Sequence, residues 1–90
     1  MSETVDLGGN IALTGFSEID GASMIILKKI VGRYVKDFSE SENEFKKLEL
    51  ILNNKEPYEM SAVLLAKKEK KSDASDNNLF IALDGVLKKL

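Results

Sequence analysis

The sequence predicts an α+β two-layer sandwich of order β-α-β-β-β-α, with two helices packed side by side on one face of a four-stranded sheet, or of a three-stranded sheet if its weakest strand is left out. Three observations predict it. Residues 19–39 and 79–90 carry apolar side chains at helical spacing. "EFKKLELIL" and "YEMSAVLLA" alternate instead with a period of two. Between these segments lie short polar stretches that mark turns, and no low-complexity linker divides the chain, so residues 5–90 read as a single domain behind a frayed 1–4.

The elements follow in order. In "TVDLGGNIALTG", Val5 and Leu7 alternate with polar neighbours, Gly8-Gly9-Asn10 signals a turn or bulge, and Ile11 and Leu13 alternate again. This is one bent strand, or a strand followed by an apolar staple. Ser17 is the expected cap of the first helix, with Asp20 three residues on and Thr14 as an earlier alternative, because Gly15 and Phe16 open helices poorly. From Ile19 to about Ser39, one helix face collects Ser23, Leu27, Ile30, Val31, Tyr34 and Phe38. The opposite face carries Lys28, Lys29, Arg33 and Lys36, with Gly32 and an exposed Ile25 among them.

After the polar break "SESEN", the alternation puts Lys46, Leu48, Leu50 and Leu52 on one strand face and Phe45, Lys47, Glu49 and Ile51 on the other. "NNKEP" is a turn, and the next strand sets Tyr58, Met60, Ala62 and Leu64 on one side. "KKEKK" is expected as a charged turn into "KSDAS", a polar edge strand made of poor strand formers. Asp76 or Asn77 then caps a final helix whose core face is Leu79, Phe80, Leu83, Val86, Leu87 and Leu90, with Ile81, Asp84 and Lys88 opposite and Gly85 and Lys89 on a flank.

Composition excludes several kinds of chemistry. The 90 residues include no Cys and no His, which removes disulfides, thiolate nucleophiles, histidine bases and the commonest metal ligands. Glu40, Glu42, Glu44, Asp73 and Asp76 lack the spacing of a calcium loop, and Glu49 and Asp84 have no partner acid for acid–base work. Gly8-Gly9 is not followed by the Gly-Lys-Ser/Thr of a phosphate loop, and "VGRYV" is not a Gly-x-x-Gly loop. The chain is therefore read as a non-enzyme without metal or cofactor. An acidic, polar start and the absence of a long apolar run give a cytoplasmic expectation. A net charge of −2 offers no global attraction to nucleic acid, so any RNA contact must be a local patch.

"VDLGGNIALT" at the start and "KKSDASDNNLFIALDGVLKKL" at the end resemble the ribosome hibernation promoting factors, also called ribosome-associated inhibitors or subunit-interface proteins. The family's final helix reads aromatic, two small or apolar residues, an aliphatic, Asp-Gly, two aliphatics, a variable residue and Lys-Leu. Here those positions are Phe80, Ile81-Ala82, Leu83, Asp84-Gly85, Val86-Leu87, Lys88 and Lys89-Leu90. "FKKLELIL" and "YEMSAVLL" stand where the family has its second and third strands. The stretch from Thr14 to Phe38 is longer than the family's, and the loops are more acidic.

The resemblance implies a ribosome-associated, stress-linked protein. It would occlude the mRNA and tRNA region of the small subunit, and so inhibit translation or stabilise idle ribosomes, through basic residues of its helical layer. Those residues are Lys28, Lys29, Arg33, Lys36, Lys88 and Lys89. Separately, Lys67, Lys68, Lys70 and Lys71 form a secondary basic cluster at the turn, either a charged loop that blunts an edge or a second contact to RNA phosphates. The rival expectation is a protein-interaction module that forms a homodimer through the open sheet face, where Phe45, Ile51, Val63 and Leu65 would lie, without binding RNA.

Overall fold

A computed structural model describes residues 10–41 and 44–90, together with the backbone course of 4–6. Its elements are β1 (Thr4–Asp6), β2 (Ile11–Thr14), α1 (Gly21–Ser41), β3 (Lys47–Lys55), β4 (Tyr58–Leu65), β5 (Glu69–Asp76) and α2 (Leu79–Lys88). The α+β sandwich expected from the sequence is the observed fold. Strands β2 to β5 form the four-stranded mixed sheet, and the three residues of β1 extend it at one edge, in the order β1-β2-β3-β4-β5.

The start of the chain makes two paired strands rather than one bent strand: β1 pairs antiparallel with β2, Thr4 facing Thr14. The expected fraying concerns residues 1–3, which lie outside the described residues, and Thr4, which opens β1. The next pair, β2 and β3, runs parallel, with Ile11 opposite Leu48 and Leu13 opposite Leu50. Only a long crossover can join parallel neighbours, and α1 is that crossover.

Gly15 makes the exit from β2 possible. It holds a φ of +83°, and a Cβ there would come within 2.5 Å of the Leu52 carbonyl oxygen. No other residue type meets both conditions without strain. Phe16 is then buried, and the Ile19 N–H donates to its carbonyl at 3.1 Å, closing a turn before the helix starts. The cap is accordingly Asp20 and not Ser17. The Asp20 carboxylate accepts from the Ser23 N–H at 2.9 Å, and its carbonyl accepts from the Met24 N–H at 3.0 Å. That hydrogen bond from Ser23 holds the Asp20 carboxyl below its usual range.

The core lies between the sheet and the helices. Leu48, Leu50 and Leu52 of β3 and Met60, Ala62 and Leu64 of β4 supply its floor, as the alternation predicted. Leu27, Val31 and Val35 of α1 and Leu79, Ala82, Leu83, Val86 and Leu87 of α2 supply its roof. Tyr34, Phe38, Phe80 and Leu90 sit at its margin, half-buried. Beyond Leu52 a bulge inserts Asn53 before a two-residue turn, Glu56-Pro57, whose peptide bond is cis. The turn after β4 is shorter than "KKEKK": Ala66, Lys67 and Lys68 bend, and β5 already begins at Glu69.

Poor strand formers hold β5 because α2 covers one of its faces. Ser72, buried on that face, donates its hydroxyl to the Val86 carbonyl at 2.6 Å. That carbonyl is among the last four of α2, which have no partner within the helix. At the other end, Asn78 is the cap, accepting from the N–H groups of Phe80 and Ile81, while Asp76 accepts from the Asn78 N–H. The expected caps Asp76 and Asn77 fall short by one or two residues because this turn needs its own acceptor first. Among the described residues no helix is long and apolar enough to cross a membrane.

Candidate nucleic-acid interface

Core packing of Leu27, Val31 and Val35 fixes which side of α1 meets solvent. Successive helical residues turn by about 100°, so Lys29, Arg33 and Lys36 fall together on the outermost strip with Ile25, and Lys28 flanks it beside Gly32. All four cations are exposed. Among the described residues none of them stands within ion-pair distance of a carboxylate. Gly32 has open space around it, so it thins the surface between the cations without serving any internal approach. Ile25 is 60% exposed, as expected, and Ile26 is 49% exposed beside it.

The two helices are neighbours, and their contact is polar at its rim. The Tyr34 hydroxyl donates to Asp84 Oδ1 at 2.6 Å, and Lys88 Nζ pairs with Asp84 Oδ2 at 2.9 Å. The hydroxyl and then the ammonium stabilise the carboxylate, which lowers the Asp84 pKa below its usual range. The same hydrogen bond, with some burial, pushes the Tyr34 hydroxyl up to about 12. Ile30, Arg33, Tyr34, Asp37 and Asp84 line the groove over this contact, so Arg33 sees two carboxylates along one flank.

Tyrosinate absorbance can test this contact. Tyr34 should ionise as a separate phase near pH 12, against an ordinary value of 10.0, and Tyr34→Phe should remove that phase. Because the folded-state pKa is the higher one, the hydrogen bond contributes to stability below about pH 10 and is lost between about 10 and 12. Asp84→Asn should move the phase back toward lower pH.

Lys88 and Lys89 do not join the α1 strip as a pair. One residue apart on a helix, they leave on different flanks. Lys88 turns to Asp84 and the first helix, whereas Lys89 Nζ donates to the Asp73 carbonyl of β5 at 2.6 Å. Their charges remain exposed but are already partnered. The secondary cluster is also dispersed. Lys67 and Lys68 lie in the bend, and Lys70 and Lys71, adjacent on β5, point to opposite sheet faces. Lys71 makes a loose ion pair with Glu69 at 3.5 Å. Of the acids weighed for a metal, Glu40 and Glu44 are exposed near the end of α1, Asp73 and Asp76 lie on β5, and Glu42 falls outside the described residues.

The open sheet face is mostly polar. Asn53 donates to Ser61 at 2.9 Å, and Ser61 donates to Asp73 at 2.8 Å, a ladder across three strands. Glu49, Val63 and Lys71 line up beside it in register. Ile51, Val63 and Leu65 are half-buried on this face, while Phe45 packs against the core edge.

The Tyr34–Asp84 contact was invisible in the sequence, since its partners are 50 residues apart. Its one signal was a tyrosine at the rim of an apolar stripe, which needs a partner for its hydroxyl. Known protein families offer no model that matches this chain, and no curated protein matches it in sequence.

Proposed function

We propose that the protein binds ribosomal RNA of the small subunit through the outward face of α1, occupying the region that mRNA and tRNA need, and so inhibits translation or stabilises idle ribosomes. The observation that supports this reading is the strip of Lys29, Arg33 and Lys36 with Lys28 on its flank, exposed on one helix and without ion-paired carboxylates among the described residues. In a chain of net charge −2, gathering cations on one surface creates local attraction to phosphates that the whole molecule lacks. The element order and two-layer architecture are those the resemblance implied, and the mechanism is occlusion by a folded domain with no chemical step. Lys88 and Lys89, already partnered, contribute long-range charge more than direct contact.

The rival reading, a homodimer through the open sheet face without RNA, draws on Ile51, Val63 and Leu65. The polar ladder and the charged residues around them leave that apolar area small. Sedimentation with ribosomes distinguishes the two. Co-migration at about 50 mM salt that disappears at several hundred millimolar is the expected result. No co-migration at low salt sinks the proposal.

A further inference from the structure

Strand β5 is an edge of the sheet, eight residues long, with no strand beyond it among the described residues. Such an edge offers backbone groups to another chain. Here Lys89 Nζ already donates to the Asp73 carbonyl at 2.6 Å, so a second copy must displace that ammonium. Its charges are polarised along its length. Lys67, Lys68, Lys70 and Lys71 crowd its beginning, with Glu69 the one acid among them, and Asp73 and Asp76 lie toward its end. An antiparallel copy of the same strand would therefore meet it with opposite charge at both ends. A two-fold axis at Ser72 sets Lys71 opposite Asp73, twice, and brings Lys68, in the bend just before β5, toward Asp76 of the second copy. The pair Lys71–Glu69, loose and exposed, gives little resistance to such an exchange.

A second, separate feature lies along the same edge. Ile81, Gly85 and Lys89 of α2 form one row, at spacings of four, and border a groove of about 640 Å³ beside Ala74 and Asp73. Ile81 is 58% exposed there, although the rest of the apolar surface of α2 is used in the core. Extending the sheet through β5 brings the α2 helices of two copies side by side and antiparallel. Gly85, whose absent side chain would face Ala74 of its own β5, adds no bulk to this row, and Ile81 meets the aliphatic stem of the second copy's Lys89. The edge charges and the exposed isoleucine, which share no cause within one chain, are both accounted for by one contact.

We infer that the chain self-associates through antiparallel β5–β5 pairing, with the Ile81–Gly85–Lys89 row of α2 covering its counterpart in a second copy. The contact is isologous, so it closes as a dimer with one continuous sheet and leaves the outward strip of α1 free. It is a different surface from the open sheet face.

Sedimentation equilibrium of the whole chain over the micromolar to millimolar range tests it. The expected result is a monomer–dimer equilibrium that weakens with added salt. Lys68→Glu combined with Lys71→Glu, and separately Ile81→Lys, should each weaken association at least tenfold with an unchanged circular dichroism spectrum. The double variant Lys71→Glu/Asp73→Lys, which exchanges two charges within the chain, should recover it. A monomer at every concentration overturns the inference. So does a dimer that both the double lysine variant and Ile81→Lys leave intact, since the contact then lies elsewhere.

Discussion

Leu83→Ala should destabilise the fold by about 2–5 kcal/mol, the range for a fully buried leucine whose neighbours cannot collapse into the void. Leu83 has no solvent exposure and sits at the middle of the α2 face that covers the sheet. Its loss would remove transfer energy and leave a cavity bounded by two rigid layers. A domain of 90 residues holds roughly 5–13 kcal/mol in all, so this one change removes a large share of it. The midpoint of thermal unfolding should fall by about 8 °C or more, at about 4–8 °C per kcal/mol for a chain of this size. Ile25→Ala is the matched comparison. It also shortens an aliphatic side chain on a helix, but at a site 60% exposed, and should shift stability by no more than about 0.5 kcal/mol. Equal losses in the two variants would mean that α2 does not carry the core as described.

The contrast between those two residues also shows what the sequence makes legible. Period and burial go together, so the faces carrying Leu48, Leu50 and Leu52, or Leu79, Leu83 and Leu87, could be read directly, as could the exposure of Ile25 and Ile81. Boundaries were less legible, because capping residues are locally interchangeable. Ser17, Asp20, Asp76, Asn77 and Asn78 are all good caps by type. Asp20 and Asn78 are selected by tertiary demands, namely the burial of Phe16, the positive φ of Gly15 and the seating of α2 on β5. Propensity underrated β5 for the same reason. Its sequence is a poor strand in isolation, and the Ser72 bond to Val86 with the covering helix supplies what propensity does not.

Charge was legible as position but not as state. The four α1 cations could be placed on one face by counting, whereas the partnering of Lys88 with Asp84 and of Lys89 with the Asp73 carbonyl depends on packing between elements distant in the chain. The expected six-residue surface therefore resolves into four cations without ion-paired carboxylates among the described residues and two that are already engaged. That difference turns a general expectation of basic helices into a specific one about α1.

Reversing those four charges, as Lys28→Glu, Lys29→Glu, Arg33→Glu and Lys36→Glu together, is expected to lower affinity for ribosomes by about 100-fold or more at about 50 mM salt. If each cation meets one phosphate, the wild-type logarithmic salt slope should be about −3, and the variant should lose nearly all of it. Folding should survive, since all four side chains are exposed and none is ion-paired to a carboxylate among the described residues. Changing net charge could weaken binding to RNA by itself, wherever the new acids are placed. The control is therefore Lys67→Glu, Lys68→Glu, Lys70→Glu and Lys71→Glu, which alters net charge equally and leaves α1 intact. A local interface predicts that the α1 variant loses binding while the control keeps most of it, with the salt slope near the wild-type value. Equal losses in both would mean that the ribosome responds to total charge and that α1 is not the contacting surface. Unchanged binding in the α1 variant would remove the strip from the mechanism altogether.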